Sequence, residues 1–261
     1  MKKFPLLLLI SLLVSTTLFQ SCNDDDDDYY VYYNRSLAVG NVVSEEGKPS
    51  YLLLDSKRTM LFSENSIPSL YLEDGRRVIV NYTLLDEDYQ GYDFRIHVND
   101  IDTVLVKGII PITPEKEDSI GNDAVNILDM WTSDEYVTIQ FEMKGAGQKK
   151  HMVNLVRDYS LEENPDDGYM QLEFRHNQED DPEFGSQWLW GIASFRLGDL
   201  APDKSDLKGL KIKVNTYRGE ETYTCKYDTD NSEKNKAVDK LQQAVQKKIP
   251  VYILDKSELY E

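Results

Sequence analysis

Beyond about Tyr29 the apolar residues recur at every second position. That is the mark of strands with one buried face, because successive side chains of an extended chain point to opposite sides. Phe94, Ile96 and Val98 alternate with Arg95, His97 and Asn99, and Val78, Val80, Tyr82 and Leu84 follow the same rhythm in the stretch from Arg76. Val137, Ile139, Phe141 and Met143 interleave with Thr138, Gln140 and Glu142, and Leu210, Ile212 and Val214 with Lys211 and Lys213. Turn chemistry punctuates these runs at Asp74-Gly75, Gln90-Gly91, Gly145-Ala146-Gly147 and Arg218-Gly219. The body is predicted to be all-β.

Two prolines with charges between apolar runs, in Pro111-Ile112-Thr113-Pro114-Glu115-Lys116-Glu117-Asp118, make the best candidate boundary. Before it, strands are expected at 37–43, 51–54, 59–63, 76–85 and 92–98, with 104–106 as a candidate continuation. Five short strands over 34–112 suit a small closed barrel. After it come 125–130, 136–144, 151–157, 169–174, 188–197, 210–217 and 222–227, a number that suits a two-sheet sandwich over 113–228. Strand counting alone does not separate barrel from sandwich in either half.

The two ends break the pattern. Val238, Leu241 and Val245 fall at helical spacing with Ala237 and Ala244, Asp230 and Glu233 are placed as a capping box, and Pro250 is a stop. A helical tail with a candidate final strand is therefore expected over 229–261. The face away from its apolar stripe carries Lys234, Lys236, Lys240, Lys247 and Lys248, read as a solvated face over a packed stripe. At the other end, Lys2 and Lys3 precede an almost unbroken apolar run from Leu6 to Val14, the build of a secretory signal and too short for a comfortable permanent span. The run closes on Leu18-Phe19-Gln20-Ser21-Cys22, which resembles a loose bacterial lipobox. Residues 1–21 are thus expected to be a lipoprotein signal peptide, with Cys22 the lipid attachment point. Several acyl chains on one cysteine exceed what stable membrane anchoring requires.

Asp24, Asp25, Asp26, Asp27 and Asp28 follow at once. A block of like charge cannot pack and stays solvated, so 22–33 reads as an acidic tether. Its placement resembles the acidic surface-export signal of Bacteroidetes lipoproteins. Overall, 29 Lys and Arg against 47 Asp and Glu give a formal charge of −18. Nucleic acid is excluded as a partner on that balance, since phosphate binding needs clustered cations. With Cys22 lipidated, Cys225 stands alone, no intramolecular disulfide can form, and the thiol reads as a small core residue alternating with Tyr223 and Tyr227.

Catalytic and metal chemistry find little support. His97, His151 and His176 have no ligand spacing to one another or to a cysteine, and are read as structural or surface residues. His176 shares parity with Met170, Leu172 and Phe174, which puts it at the margin of the sandwich core. Glu162-Glu163, Asp166-Asp167 and Glu179-Asp180-Asp181 with Glu183 lack the spaced pattern of a calcium loop and are read as solvated loops. No cofactor is expected. Trp188-Leu189-Trp190 is the exception to this blandness. Leu189, Ala193, Phe195 and Leu197 share the apolar parity, so Trp188 and Trp190 project from the other face and form a candidate ligand platform. Packing is the more ordinary fate of such residues.

These features together resemble the NigD-like lipoproteins of Bacteroidetes. The resemblance is carried by Ser66-Ile67-Pro68-Ser69-Leu70-Tyr71-Leu72-Glu73-Asp74-Gly75-Arg76-Arg77-Val78, then Val80-Asn81-Tyr82 and Asp118-Ser119-Ile120-Gly121-Asn122-Asp123. It continues in Val153-Asn154-Leu155-Val156 and Leu172-Glu173-Phe174-Arg175-His176-Asn177, and spans roughly residues 1–227. It implies an N-terminal OB-type barrel followed by a β-sandwich, and carries over no site except the lipid on Cys22. The expected function is a non-enzymatic binding or assembly module, lipid-anchored in the outer membrane and exposed at the cell surface. Its partner would be a protein, peptide or glycan. The family name also suggests bacteriocin immunity or handling, and the tryptophans with plentiful carboxylates raise a surface glycan hydrolase as a third reading.

Overall fold

The computed structural model describes residues 36–63, 67–158, 168–182, 186–200 and 207–226. The signal peptide, Cys22, the acidic run and the helical tail lie outside the described residues, as do Glu162, Glu163, Asp166, Asp167 and Glu183.

Alternation builds the first half. Strands β1 (Ser36–Val43), β2 (Tyr51–Leu54), β3 (Thr59–Phe62), β4 (Arg77–Tyr89) and β5 (Tyr92–Thr103) close into a barrel in the order β1-β2-β3-β5-β4. Ladders are antiparallel except β3 with β5, where Met60 to Phe62 run parallel to Phe94 to Ile96. Ala38, Val42, Leu52, Leu54, Met60, Val78, Val80 and Ile96 fill the interior. The β4–β5 hairpin turns on Gln90 and Gly91, both at positive φ, the geometry that matches strand twist across a two-residue loop. Leu84 departs from the sequence expectation. The β4–β5 register shifts between Asn81 and Tyr82 and again between Leu84 and Asp86, and these bulges leave Leu84 and Leu85 exposed.

The second half is a sandwich. One sheet runs β14-β13-β11-β10-β7 and the other β6-β12-β9-β8. The strands are β6 (Leu105–Lys107), β7 (Ile110–Pro111), β8 (Asn126–Thr132), β9 (Tyr136–Gly145), β10 (Met152–Arg157), β11 (Tyr169–Asn177), β12 (Gln187–Arg196), β13 (Gly209–Thr216) and β14 (Gly219–Lys226). Between β7 and β8 in sequence, a short helix, α1 (Glu117–Ile120), buries Ile120. Val137, Ile139, Phe141 and Met143 from β9 meet Leu172 and Phe174 from β11, Phe195 from β12 and Ile212 from β13 in one core that also takes Cys225. Gly191 turns its bare side to this core, where a Cβ would sit 2.6 Å from the Phe141 ring. The 104–106 segment does not continue the barrel. Leu105 to Lys107 pair in parallel with Ala193 to Phe195, and Ile110 with Val156, so the chain has already joined both sandwich sheets before the proline-flanked segment.

Barrel and sandwich share an apolar seam. The odd-parity residues of β1 and β4, Leu37, Val39 and Ile79, face away from the barrel interior and pack with Val104 against Trp190 and Ile192 of β12. Each such burial stabilises by roughly 1.5–3 kcal/mol. At the edge of the seam Arg77 has all five N–H groups engaged. Nε donates to Ser194 Oγ at 2.6 Å, Nη1 to Asp55 Oδ1 at 2.9 Å and Asn41 Oδ1 at 3.2 Å, and Nη2 to Asp55 Oδ2 at 2.6 Å and Thr138 Oγ1 at 2.8 Å. Trp131 Nε1 donates to the same Asp55 carboxylate at 2.7 Å, and the Tyr136 ring lies 4.5 Å from the guanidinium carbon. The Arg77 side chain is 1% exposed. Removing one partner of such a buried pair strands the other's charge, at a cost of about 3–5 kcal/mol. Urea unfolding of Arg77→Ala is expected to show that loss, and Arg77→Lys to recover only a minor part, because one ammonium cannot span both domains with a planar fork. A loss below about 1 kcal/mol for Arg77→Ala would contradict the assignment.

Candidate ligand-binding surface

The two tryptophans separate. Trp190 is 3% exposed and fills the seam against the barrel, so it cannot serve as a platform. It lies on the face of β12 opposite Leu189 and Ala193, and there that face meets another domain instead of solvent. Trp188, two residues nearer the strand's start, lies on the same face and is only half-buried. It stands directly across the ladder from Lys144.

Tyr217 completes a cluster that the sequence did not announce. It follows β13 in a tight turn held by Thr216, whose Oγ1 donates to Gly219 O at 2.7 Å and accepts from Arg218 N at 3.1 Å. Its Oη accepts the Lys144 backbone N–H at 2.7 Å, and its ring meets the Trp188 ring edge to face, 5.3 Å between centroids at 81°. Lys144 Nζ lies 5.4 Å from the Trp188 ring and 5.5 Å from the Tyr217 ring. Edge-to-face pairs and exposed cation–π contacts contribute about 0.5–1.5 kcal/mol each, which favours this arrangement of the rings. Tyr217 nevertheless remains 40% exposed. Three side chains on β9, β12 and the β13–β14 turn thus present aromatic surface and one cation on rigid backbone. A flat apolar face such as a sugar ring or a peptide side chain can stack there.

Beneath the same end of the sandwich lies a buried polar cluster. Asp181 is not the solvated acid its sequence neighbours suggested. Its carboxylate accepts backbone N–H groups from Ala146, Gly147, Gln148 and Lys149 at 2.5–3.0 Å, a nest formed by the loop after β9. His151 Nε2 approaches Asp181 Oδ2 at 3.3 Å, His151 Nδ1 lies 2.8 Å from His176 Nε2, and His176 Nδ1 lies 3.2 Å from Ala124 O. Both rings are buried, so the expected margin position of His176 is in fact interior. Burial raises the Asp181 carboxyl, but His151 and the N–H groups of Gln148, Ala146 and Gly147 outweigh it and hold the group below the ordinary carboxylate range. Burial first, then the charge of His151, push His176 down to about 4. His97 is exposed on β5 in the barrel. Among the described residues no group of three or more His, Cys, Asp or Glu could hold a metal ion. The signal that could have found the cluster was weak, since His151, His176 and Asp181 meet only through the pairing of β10 with β11.

A closed five-stranded barrel packed on a sandwich defines a class of two-domain β protein. The chain belongs to the NigD-like family. Residues 39–104 match the NigD-like N-terminal OB domain and residues 108–227 the NigD-like C-terminal beta sandwich domain. Among solved structures it is similar to a protein of unknown function from Bacteroides vulgatus, 32% identical, with a TM-score of 0.65 over 77% of this chain and 93% of that one. A protein named as toxin-related from Parabacteroides distasonis is 29% identical, with a TM-score of 0.60 over 79% and 99%. A NigD-like immunity protein from Bacteroides caccae shares the fold at 18% identity, with a TM-score of 0.55 over 78% and 95%. No curated protein matches the chain.

The low value for His176 has a signed consequence. Between pH 6.5 and about 4 the unfolded ring binds a proton that the folded ring refuses. Its contribution is therefore complete above pH 6.5 and is lost as pH falls toward 4, by about 3 kcal/mol in full. Urea titrations across this window are expected to show a shallower acid loss for His176→Asn than for the wild type. Equal slopes would mean that the ring titrates normally.

Proposed function

We propose that the protein is a non-enzymatic binding module, held on the outer membrane by lipid on Cys22 and displayed at the cell surface. The observation that carries the binding role is the half-buried Trp188 and exposed Tyr217 held rigid around Lys144, a ready contact for a protein, peptide or neutral glycan. Asp181, a carboxylate near this end, is fully engaged by backbone and His151 and so is not free to act in a glycan hydrolase. No helix among the described residues is long and apolar enough to cross a membrane, so the proposed attachment rests on the signal and Cys22.

A second reading, bacteriocin immunity or handling, is favoured by the names of two relatives, one toxin-related and one an immunity protein. Both readings use a binding surface, and the identity of the captured partner separates them. A photo-crosslinking side chain at Tyr217 on intact cells is expected to trap a discrete partner, with the yield falling about tenfold in Trp188→Ala, the effect of losing one aromatic anchor. A secreted toxin as that partner selects the second reading. An unchanged yield in Trp188→Ala removes the platform.

The anchor is tested separately. Cys22→Ser is expected to abolish acyl labelling and release the protein from membranes. Alanine at Asp24 to Asp28 should keep it anchored but shield it from external protease. Membrane retention of the serine variant, or continued digestion of the alanine variant, would defeat the corresponding claim.

A further inference from the structure

The buried histidines pose a counting problem that their distances solve. Ala124 O, His176, His151 and Asp181 form a line of three contacts at 3.2, 2.8 and 3.3 Å. Both ends of the line, a carbonyl and a carboxylate, only accept hydrogen bonds. Each contact needs one hydrogen, so the four ring nitrogens must carry three, whereas two neutral imidazoles carry two. An N···N approach of 2.8 Å between buried rings is stable only with a proton between them, and an unmade bond at either end would cost about 1–3 kcal/mol.

We infer that His151 and His176 share one proton more than two neutral rings hold, and that this proton fastens the loop after β11 to the loop after β9. The charge sits on His151, next to the Asp181 carboxylate, and His176 stays neutral with its Nδ1–H on Ala124 O. Carboxylates flank the pair from both sides. Asp181 faces His151, and Asp123, which also accepts the Gln178 N–H at 2.8 Å, acts on His176. A second proton would place two cations 2.8 Å apart away from water. The low His176 value agrees with a single charge. The inference is independent of what the Trp188 surface binds.

A pair held at one proton makes stability peak and fall on both sides. Below the ordinary imidazole range the unfolded chain binds two protons to the folded pair's one. Above it the unfolded rings are neutral, folding takes up a proton, and the folding constant drops about tenfold per pH unit until the pair itself deprotonates. Two neutral buried rings would produce only the acid side.

The test uses the full chain with ¹⁵N-labelled histidine. Its three histidines include His97, exposed on β5 in the barrel, as an internal reference for the spectra. Long-range ¹H–¹⁵N spectra near pH 7 are expected to show one doubly protonated ring and one neutral ring protonated at Nδ1 for the buried pair. Two neutral rings would overturn the inference. In Asp181→Asn the side-chain amide supplies the missing hydrogen, so two neutral rings suffice and the tenfold-per-unit alkaline loss seen in wild-type urea titrations should vanish. An identical alkaline loss in a folded Asp181→Asn would also overturn it. If that variant does not fold, the wild-type spectrum decides alone.

Discussion

A single guanidinium sets the relation between the two halves of this molecule. Arg77 leaves the barrel wall at the start of β4 and spends its five N–H groups on Asp55 and Asn41 in the barrel and on Ser194 and Thr138 in the sandwich. Charge buried this deeply tolerates no partial arrangement, since any rotation of one domain would break bonds to a cation without access to water. The apolar seam of Leu37, Val39, Ile79, Trp190 and Ile192 supplies the adhesion, and Arg77 supplies the register. Every surface on either domain is thereby presented in a fixed relation to the other.

That fixed relation bears on how a binding face is made. The Trp188 cluster lies on β12, the strand whose next outward residues are sealed against the barrel. Its supports are strand backbone, a turn closed by Thr216 and a loop pinned by the Asp181 carboxylate. A contact built on such parts spends little ordering entropy on meeting a partner, at the cost of adapting to few.

The sequence was most legible where one physical cause acted alone. Alternation gave the strands of β9, β11 and β13 and their core residues, because an apolar core face opposite polar side chains writes a period of two, even where the polar face of β9 is itself buried at Thr138 and Gln140. It misled where a second cause intervened. Leu84 keeps the parity but loses the core at a bulge, and Trp190 keeps the parity but meets a neighbouring domain. Short β6 and β7 were missed or misplaced because their partners are parallel and distant in sequence, so no local pattern marks them. Of the candidate site, Trp188 was readable from its strand. Tyr217 and Lys144 were not, since Lys144 meets Trp188 only through the pairing of β9 with β12, and Tyr217 only once the second sheet has closed on the first. Asp181 was hidden by its company. One buried carboxylate among acids looks like one more solvated charge until the nest that holds it is seen.

The sheet β6-β12-β9-β8 has its inner face in the sandwich core and part of its outer face under the barrel. For ancestry this matters more than for stability. A gene that exchanged one domain for an unrelated one would carry Trp190, Ile192 and the hydroxyls of Ser194 and Thr138 into solvent, or bring Arg77 to a surface with nothing to receive it. The two halves match separate family descriptions, yet neither is a free module. A change on one side of the seam therefore calls for an answering change on the other.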